Sequence, residues 1–582
     1  MSRRSIPGPV PSVLALLALG FLIFVPTSAE GRIDGRGVES QCTTPVWVFF
    51  TDKGLPNESA ERSAIDQARS RLTERALRRR AKVRGDDVVD LRDVPVSSRY
   101  LHAVLETGAS FRVASRWLNA VSVEATHAQM TEIRSLSCVR MVRPVAGGRV
   151  EPSVDRPAEL GSARPSRYLL DYGESLCQVG PMQVPELHDQ GLSGAGVLVC
   201  IFDTGFRTTH NALVGVDVVA QWDFIQGDSV VDNQPGDDSS QIRHGTEMLS
   251  LIGGYEPGHL IGPAFGASYA LAKTEKTYEE TREDEDRWVA AIEWADSLGV
   301  DIVTSSLCYW EWYTYEDMDG NTAVTTIAGD LAVANGILVL NAAGNAGASA
   351  WHYIMPASDG DSVLCIGAVD TFGVVTDFSS RGPSYDGRVK PDLVAVGDGN
   401  FVVDIWTTDD YRRENGTSCS CPLVAGVCAL LLEAHPDWTP MDIAEALKMT
   451  ASNAASPDSL YGWGIPQAVA ANEYQPTHVA EPPGPRAQPA AAILLCRPNP
   501  SSETMVLSLL CPSLDAPPAA LEIFDVRGRR VIRVHPFDSS VDSFLYRWDG
   551  VDHLGRSVPT GVYFARVEIE GRSITRTLIR LP

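Results

Sequence analysis

Positive charge is scarce in this sequence. Only 49 Lys and Arg stand against 74 Asp and Glu, a formal net charge of −25 over 582 residues. A chain that holds nucleic acid needs basic side chains against phosphate, so the balance argues against that class of partner. Long apolar runs are scarce too. After residues 13–25, no segment is long and apolar enough to span a bilayer. Cysteine is thinly spread: there are 11, and none has the spacing of a metal site. Cys419 and Cys421 lie close together but lack a second pair. Cys200, Cys365 and Cys428 fall in apolar segments, which suits buried thiols better than bridges. An odd count leaves at least one thiol unpaired in a monomer.

Arg3 and Arg4, the apolar run at 13–25 and Thr27-Ser28-Ala29 together read as a secretory signal over residues 1–29. A membrane anchor is the alternative, but the run is short for a comfortable span. Export would place the chain where disulfides can form. The length predicts several domains.

Residues 42–145 read as a small α+β unit. A strand-like run, Val46-Trp47-Val48-Phe49-Phe50, is followed by a basic helix at 64–84 and further strands. Arg78-Arg79-Arg80 in that helix are expected on a solvated face. This unit is basic, whereas the rest of the chain is acidic, so the two should attract. Residues 145–170, rich in Gly, Pro, Ser, Arg and Glu, read as a linker open to proteolysis. Over 172–474 strand-like and helix-like segments alternate, which predicts a doubly wound, mostly parallel α/β sheet. A Pro- and Ala-rich linker at 476–492 then leads to a β-rich stretch at 493–582 with Gly at its turns, expected to form a β-sandwich.

Four stretches carry the chemistry. Val197-Leu198-Val199-Cys200-Ile201-Phe202 ends in Asp203-Thr204-Gly205, and Arg243-His244-Gly245-Thr246 opens an apolar segment. A third strand ends in Asn341-Ala342-Ala343-Gly344-Asn345. Asn415-Gly416-Thr417-Ser418 runs into a long apolar helix. A serine at a helix start has its hydroxyl and N–H at the positive end of the helix dipole, where an oxyanion is stabilised. Each motif alone has a plain structural reading: an N-cap for Ser418, a core histidine for His244, turns for Asp203 and Asn345. Four in one order, each at a strand end or helix start, are specific.

Together they resemble the subtilisin-like serine peptidases (subtilases), whose chain order of Asp, His and Ser is known. Ser379-Ser380-Arg381-Gly382-Pro383, Lys390-Pro391-Asp392 and Tyr461-Gly462-Trp463-Gly464 extend the resemblance over nearly all of 172–474. It implies a serine endopeptidase with catalytic Asp203, His244 and Ser418, and Asn345 as oxyanion donor. Ser306, Leu307, Cys308 and Gly344 would bind substrate, Cys308 standing where the family usually has Gly. Residues 42–145 resemble the pro-region that helps such enzymes fold and then inhibits them. Residues 493–582 resemble immunoglobulin-like modules of the flagellar-hook-capping type and the sorting domains of exported bacterial enzymes. The implied partners are protein or peptide substrates, the chain's own pro-region and, through the last module, export machinery, with no nucleic acid. The implied location is extracellular or on a bacterial surface. No cofactor is required. Asp317-Met318-Asp319-Gly320-Asn321-Thr322 resembles half of a calcium loop for a structural Ca2+, but it has only three side-chain ligands and no closing Glu, which favours a solvated turn. Residues 232–238 read as an acidic surface loop. The competing function is a catalytically silent adhesion or scaffold protein of the same shape.

Overall fold

The computed structural model describes residues 43–145, 167–277, 283–310 and 313–476. Of the C-terminal part it describes 493–497, 504–510, 520–525, 529–536, 538–540, 543–553, 556–569 and 572–580. The expected signal at 1–29 and most of both linkers lie outside the described residues.

The largest unit is built on a seven-stranded parallel sheet. Across it run Leu393–Val396, Leu364–Val369, Leu338–Ala342, Ile302–Ser305, Leu198–Asp203, Ser268–Lys273 and Asp217–Asp223. The first of these in chain order, Leu198–Asp203, is near the middle. The chain lays its edge strand Asp217–Asp223 on one side, fills the gap with Ser268–Lys273, and then builds outward on the other side, which opens a crevice at the carboxyl end of the central strand.

Both faces of the sheet are covered, and strand alternation decides which side chain goes where. Val199 and Ile201 join one apolar cluster with the helices Arg243–Gly253, Thr417–Ala434 and Pro440–Thr450. Leu198, Cys200 and Phe202 join the opposite cluster with the helices Asp284–Leu298 and Val324–Ala334. By the same alternation Asp203 falls on the side of the first cluster, where His244 and Ser418 start their helices. The expectation that no segment after 13–25 is long and apolar enough to cross a membrane is corrected: among the described residues one helix, Thr417–Ala434, meets that length and composition. It is buried almost throughout, as the central helix of this core.

The N-terminal unit has a four-stranded antiparallel sheet in the order Ser110–Ser115, Ala120–Ala125, Thr44–Phe50, Val139–Pro144. Alternation again divides its first strand. Val46, Val48 and Phe50 point into the unit's own core, whereas Trp47 and Phe49 enter the cluster that also holds Leu307 and Tyr309 of the main sheet. Val145, at the unit's end, is fully buried in that same cluster.

The expected single helix at 64–84 is two, Glu58–Arg69 and Glu74–Arg84, because Thr73 caps a new start by accepting from the Ala76 N–H. The expected solvated arginine face holds for Arg78, which is exposed, and is corrected for the other two. Arg79 and Arg80 are buried against the helix Asp284–Leu298 and both bind Asp296. Arg116 adds a third guanidinium at 3.3 Å, and Arg112 pairs with Asp286 at 2.8 Å. Opposite charge does join the two units, through buried rather than solvated groups. The acidic loop at 232–238 departs from expectation in the same way: Asp237 leaves solvent to pair with the fully buried Lys273 at 2.6 Å.

At the C-terminal end two four-stranded antiparallel sheets enclose one apolar cluster. Met505, Leu507 and Leu509 come from one sheet, and Leu521, Ile523, Ala565 and Val567 from the other.

Candidate active site

Asp203 closes the central strand and is fully buried. Its Oδ1 accepts from the Thr204 N–H at 2.7 Å, and its carboxylate meets His244 Nδ1 at 2.8 and 3.0 Å. His244 sits in the first turn of the helix Arg243–Gly253. That helix can start so close to the strand end because the next residue is Gly245. A Cβ there would fall 2.3 Å from the Gly205 carbonyl and 3.0 Å from the Asp203 Cβ. Burial pulls the imidazole's pKa down. The charge and hydrogen bond of Asp203, with Glu247 and Glu414 behind, outweigh it and raise the pKa to about 9.

Ser418 lies in the first turn of the helix Thr417–Ala434 and is 7% exposed. Pro422 stands four residues on and has no N–H to give the Ser418 carbonyl. The Ser306 hydroxyl takes that place, donating to the Ser418 carbonyl at 3.0 Å. Asn345 is oriented from the same turn: its Oδ1 accepts from the Thr417 N–H at 2.9 Å and the Thr417 hydroxyl at 3.0 Å. This leaves the Asn345 Nδ2 to face Gly416. The Thr417 Oγ also accepts from the Gly344 N–H at 3.2 Å.

Gly416, at φ +147°, leaves an opening. The point where its Cβ would stand is 2.6 Å from Ser418 Oγ, 3.4 Å from Asn345 Nδ2 and 3.6 Å from the Ser418 backbone N. A hydroxyl and two N–H donors thus converge on one small space. Among the described residues His244 makes its side-chain hydrogen bonds to Asp203, and none joins it to the Ser418 hydroxyl. Such bonds commonly tighten only with substrate in place.

Of the residues expected to bind substrate, Ser306 and Gly344 contact the turn that holds Ser418, through the Ser418 carbonyl and the Thr417 hydroxyl. Leu307 is buried, and Cys308 Sγ rests 3.5 Å from the Ala342 carbonyl. Burial pushes the Cys308 thiol pKa far up, so it is not a thiolate. Asp317 and Asp319 accept from their own turn, Asp317 from the Thr314 N–H at 2.8 Å and Asp319 from the Asn321 N–H at 2.9 Å. No group of three or more His, Cys, Asp or Glu among the described residues is arranged to hold a metal ion.

Sequence reasoning missed three features. Thr417 orients Asn345. Ser306 supports the Ser418 turn, which the Pro422 position four residues after Ser418 could have signalled. Arg243, Glu247, Arg412 and Glu414 form an ion cluster behind His244, of which only the Arg243/Glu247 helical spacing was visible in the sequence.

A buried carboxylate holding an imidazole, and a serine at a helix start facing two donors across a parallel sheet, define the class of the α/β serine hydrolases. The chain belongs to the subtilase family. The family model "Subtilase family" matches residues 194–464, and "Peptidase S8 propeptide domain, Bacteroidota" matches 45–157. Subtilisin of Bacillus pumilus is 30% identical over 290 residues, 49% of this chain and 94% of that protein. Subtilisin DY of Bacillus licheniformis is 32% identical over 293 residues, 50% of this chain and 93% of that protein. Fervidolysin from Fervidobacterium pennivorans, a keratinolytic enzyme related to subtilisin, shares the fold with TM-score 0.53. It is 17% identical, over 94% of this chain and 78% of that one. The protein is therefore a serine endopeptidase that carries a propeptide domain.

Proposed function

We propose that the protein is an exported endopeptidase that cuts peptide bonds through Asp203, His244 and Ser418 and matures by cutting itself. The observation that carries the reading is the convergence beside Gly416 of the Ser418 hydroxyl, Asn345 Nδ2 and the Ser418 N–H. In that reading His244 takes the proton as Ser418 Oγ bonds to the scissile carbonyl carbon. The carbonyl oxygen takes up the electron pair and is held by Asn345 and the Ser418 N–H. Collapse expels the amine, which leaves with the proton from His244. Water, activated by the same imidazole, then hydrolyses the acyl-enzyme and regenerates Ser418. Asp203 holds the tautomer and steadies the imidazolium without taking the proton. Loss of the Asn345 donor should cost about 3–4 kcal/mol of transition-state stabilisation, typical of such donors, members of this family among them.

The substrate is a protein or peptide, its first specificity pocket walled by Ser306, Leu307, Cys308 and Gly344. The N-terminal unit acts as inhibitor, a role that the burial of its Trp47, Phe49 and Val145 in an apolar cluster shared with the peptidase unit supports. The location is extracellular or on a bacterial surface, and the C-terminal pair of sheets is an immunoglobulin-like module serving export or attachment. A serine-directed fluorophosphonate tests the reading against a silent scaffold of the same shape. Wild type should label and cleave peptide. Ser418→Ala and His244→Ala should each lose several orders of magnitude of activity while remaining folded, and full activity in Ser418→Ala would overturn the assignment.

A further inference from the structure

The reaction just described leaves unused four charged side chains that adjoin it. Glu247 lies one turn beyond His244, and Glu414 lies four residues before Ser418. Both carboxylates are 1% exposed. Arg243 Nε stands 3.2 Å from Glu247 Oε1, and its Nη2 donates to Glu414 Oε2 at 2.8 Å. Arg412 closes the figure, with Nη1 3.4 Å from Glu247 Oε1 and Nη2 3.2 Å from Glu414 Oε2. Each carboxylate therefore meets both guanidinium groups. Two corners belong to the His244 helix and two to the strand Tyr411–Glu414. Glu414 Oε1 also accepts from the N–H of Asn415, the first residue of the loop that turns into Ser418, at 3.2 Å.

We propose that this square is a positioning unit for the peptidase reaction: it locks the first turn of the base helix to the strand that feeds the nucleophile, and its charges bias the protonation of His244. The proposal rests on the assignment of His244 and Ser418 above. Burial, with Glu414 beside it, raises the Glu247 pKa to about 8, so near neutrality the square holds two guanidinium groups, the Glu414 carboxylate and a largely protonated Glu247. Burying such a group carries a desolvation cost that apolar packing would avoid. Its place, between the two elements whose relative position the reaction depends on, gives that cost a chemical use.

The groups that face His244 are few. Asp203 comes from the central strand, with Glu275 behind it. Arg243 and Glu247 come from its own helix, and Arg412 and Glu414 from the strand Tyr411–Glu414. The helix Thr417–Ala434 brings the Ser418 hydroxyl and the buried Cys419 thiol. The strands Asn400–Val403 and Leu260–Ile261, packed on the same helix, bring no ionisable side chain. Among these, the Glu414 carboxylate favours the imidazolium, Glu247 does so once it ionises near pH 8, and the two arginines oppose it.

The test is the pH profile of kcat/KM, each variant normalised to its own high-pH plateau and expressed as the full chain. Glu414→Gln made together with Glu247→Gln leaves the two arginines without either carboxylate beside His244, so that Glu247 cannot ionise in place of Glu414. Its acid limb should move to lower pH, with a relative rate at pH 6 about three- to tenfold above wild type. Arg243→Gln removes a cation from the same surroundings, so its limb should move the opposite way by a similar factor. Arg243→Lys should keep the wild-type limb. A merely structural role would not give shifts of opposite sign. If the double variant does not fold, Arg243→Gln and Arg412→Gln at the two more exposed corners decide alone. Limbs that coincide with wild type, while Ser418→Ala is inactive, overturn the square's role and leave the triad standing. An active Ser418→Ala overturns both.

Discussion

Replacing Asp296 by Asn should loosen the N-terminal unit from the peptidase body without touching the candidate triad. Asp296 has no exposed surface and lies at the centre of the interface. Arg79 Nη2 reaches its Oδ1, Arg80 approaches it at 2.5 Å and Arg116 at 3.3 Å. Breaking a buried ion pair by removing one partner costs about 3–5 kcal/mol. At about 1.4 kcal/mol per factor of ten, that is roughly 150- to 4,000-fold in affinity. The lower end is expected, because other acceptors remain. Arg80 keeps Asp93 at 2.7 Å, and Arg79 keeps the carbonyls of Val300 and Asn335 at 2.6 and 3.1 Å.

The assay is inhibition in trans. The mature enzyme, wild type or Asp296→Asn, is titrated with the N-terminal unit as a separate chain, and the inhibition constant is read from initial rates. An inhibition constant within threefold of wild type would refute the reasoning, because a buried carboxylate shared by three guanidinium groups cannot be lost at so small a cost. The pH dependence has a definite sign. Burial raises the Asp296 pKa, but Arg79, Arg80 and Arg116 outweigh it and hold it below the usual carboxylate value. Its contribution is therefore full at neutral pH and is lost as pH falls through that lowered value.

Four further outcomes are expected. Ser418→Ala protein should accumulate as a precursor starting near residue 30, whereas wild type should show a mature N-terminus between 144 and 172 by intact-mass measurement; equal processing of the two would assign the cut to another protease. The acid limb of wild-type kcat/KM should lie on the alkaline side of neutrality, because the His244 pKa is raised to about 9 and the neutral imidazole is the base. The same raised pKa means that the histidine's contribution to stability is full below its ordinary value of 6.5 and is lost as pH rises through about 9, which a pH series of thermal unfolding checks. A chain ending near 474, expressed with its N-terminal unit, should still cleave peptide, since the candidate triad and its buried supports all precede that point; a folded but inactive product would show that the C-terminal sheets take part.

The positions of the candidate triad residues were legible because they follow from strand and helix ends. An apolar run that stops at Asp203 and a small-residue loop that runs into a buried helix at Ser418 put both residues at the mouth of a parallel sheet. What the sequence could not show was which polar groups would find each other across long separations. Arg79 and Arg80 read as a charged surface stripe, because a basic helix with no partner in view belongs in water. Only the fold brings Asp296, more than 200 residues away, to meet them. Asp237 and Lys273 were hidden for the same reason.

The parity of single strands explains how the pieces fit. Along Thr44–Phe50 one set of alternate side chains, Val46, Val48 and Phe50, builds the N-terminal unit's own core, and the other, Trp47 and Phe49, joins the peptidase unit's apolar cluster that holds the helices Asp284–Leu298 and Val324–Ala334. A strand whose two faces are both apolar has no face to leave in water, so this unit is completed only by docking. Once the linker is cut, Trp47 and Phe49 would lose their cover on leaving, and so would Arg79 and Arg80. Each apolar ring returned to water costs about 25 cal/mol per Å² of surface. Departure therefore has to expose an apolar face and break a buried charge cluster together. On this argument, cutting the linker alone would not free the active site. Release would need destruction of the N-terminal unit itself, by a second cut within it, and full activity should lag behind the appearance of the mature N-terminus. A time course that measures both in one sample decides this: activity that rises in step with the first cut would contradict it.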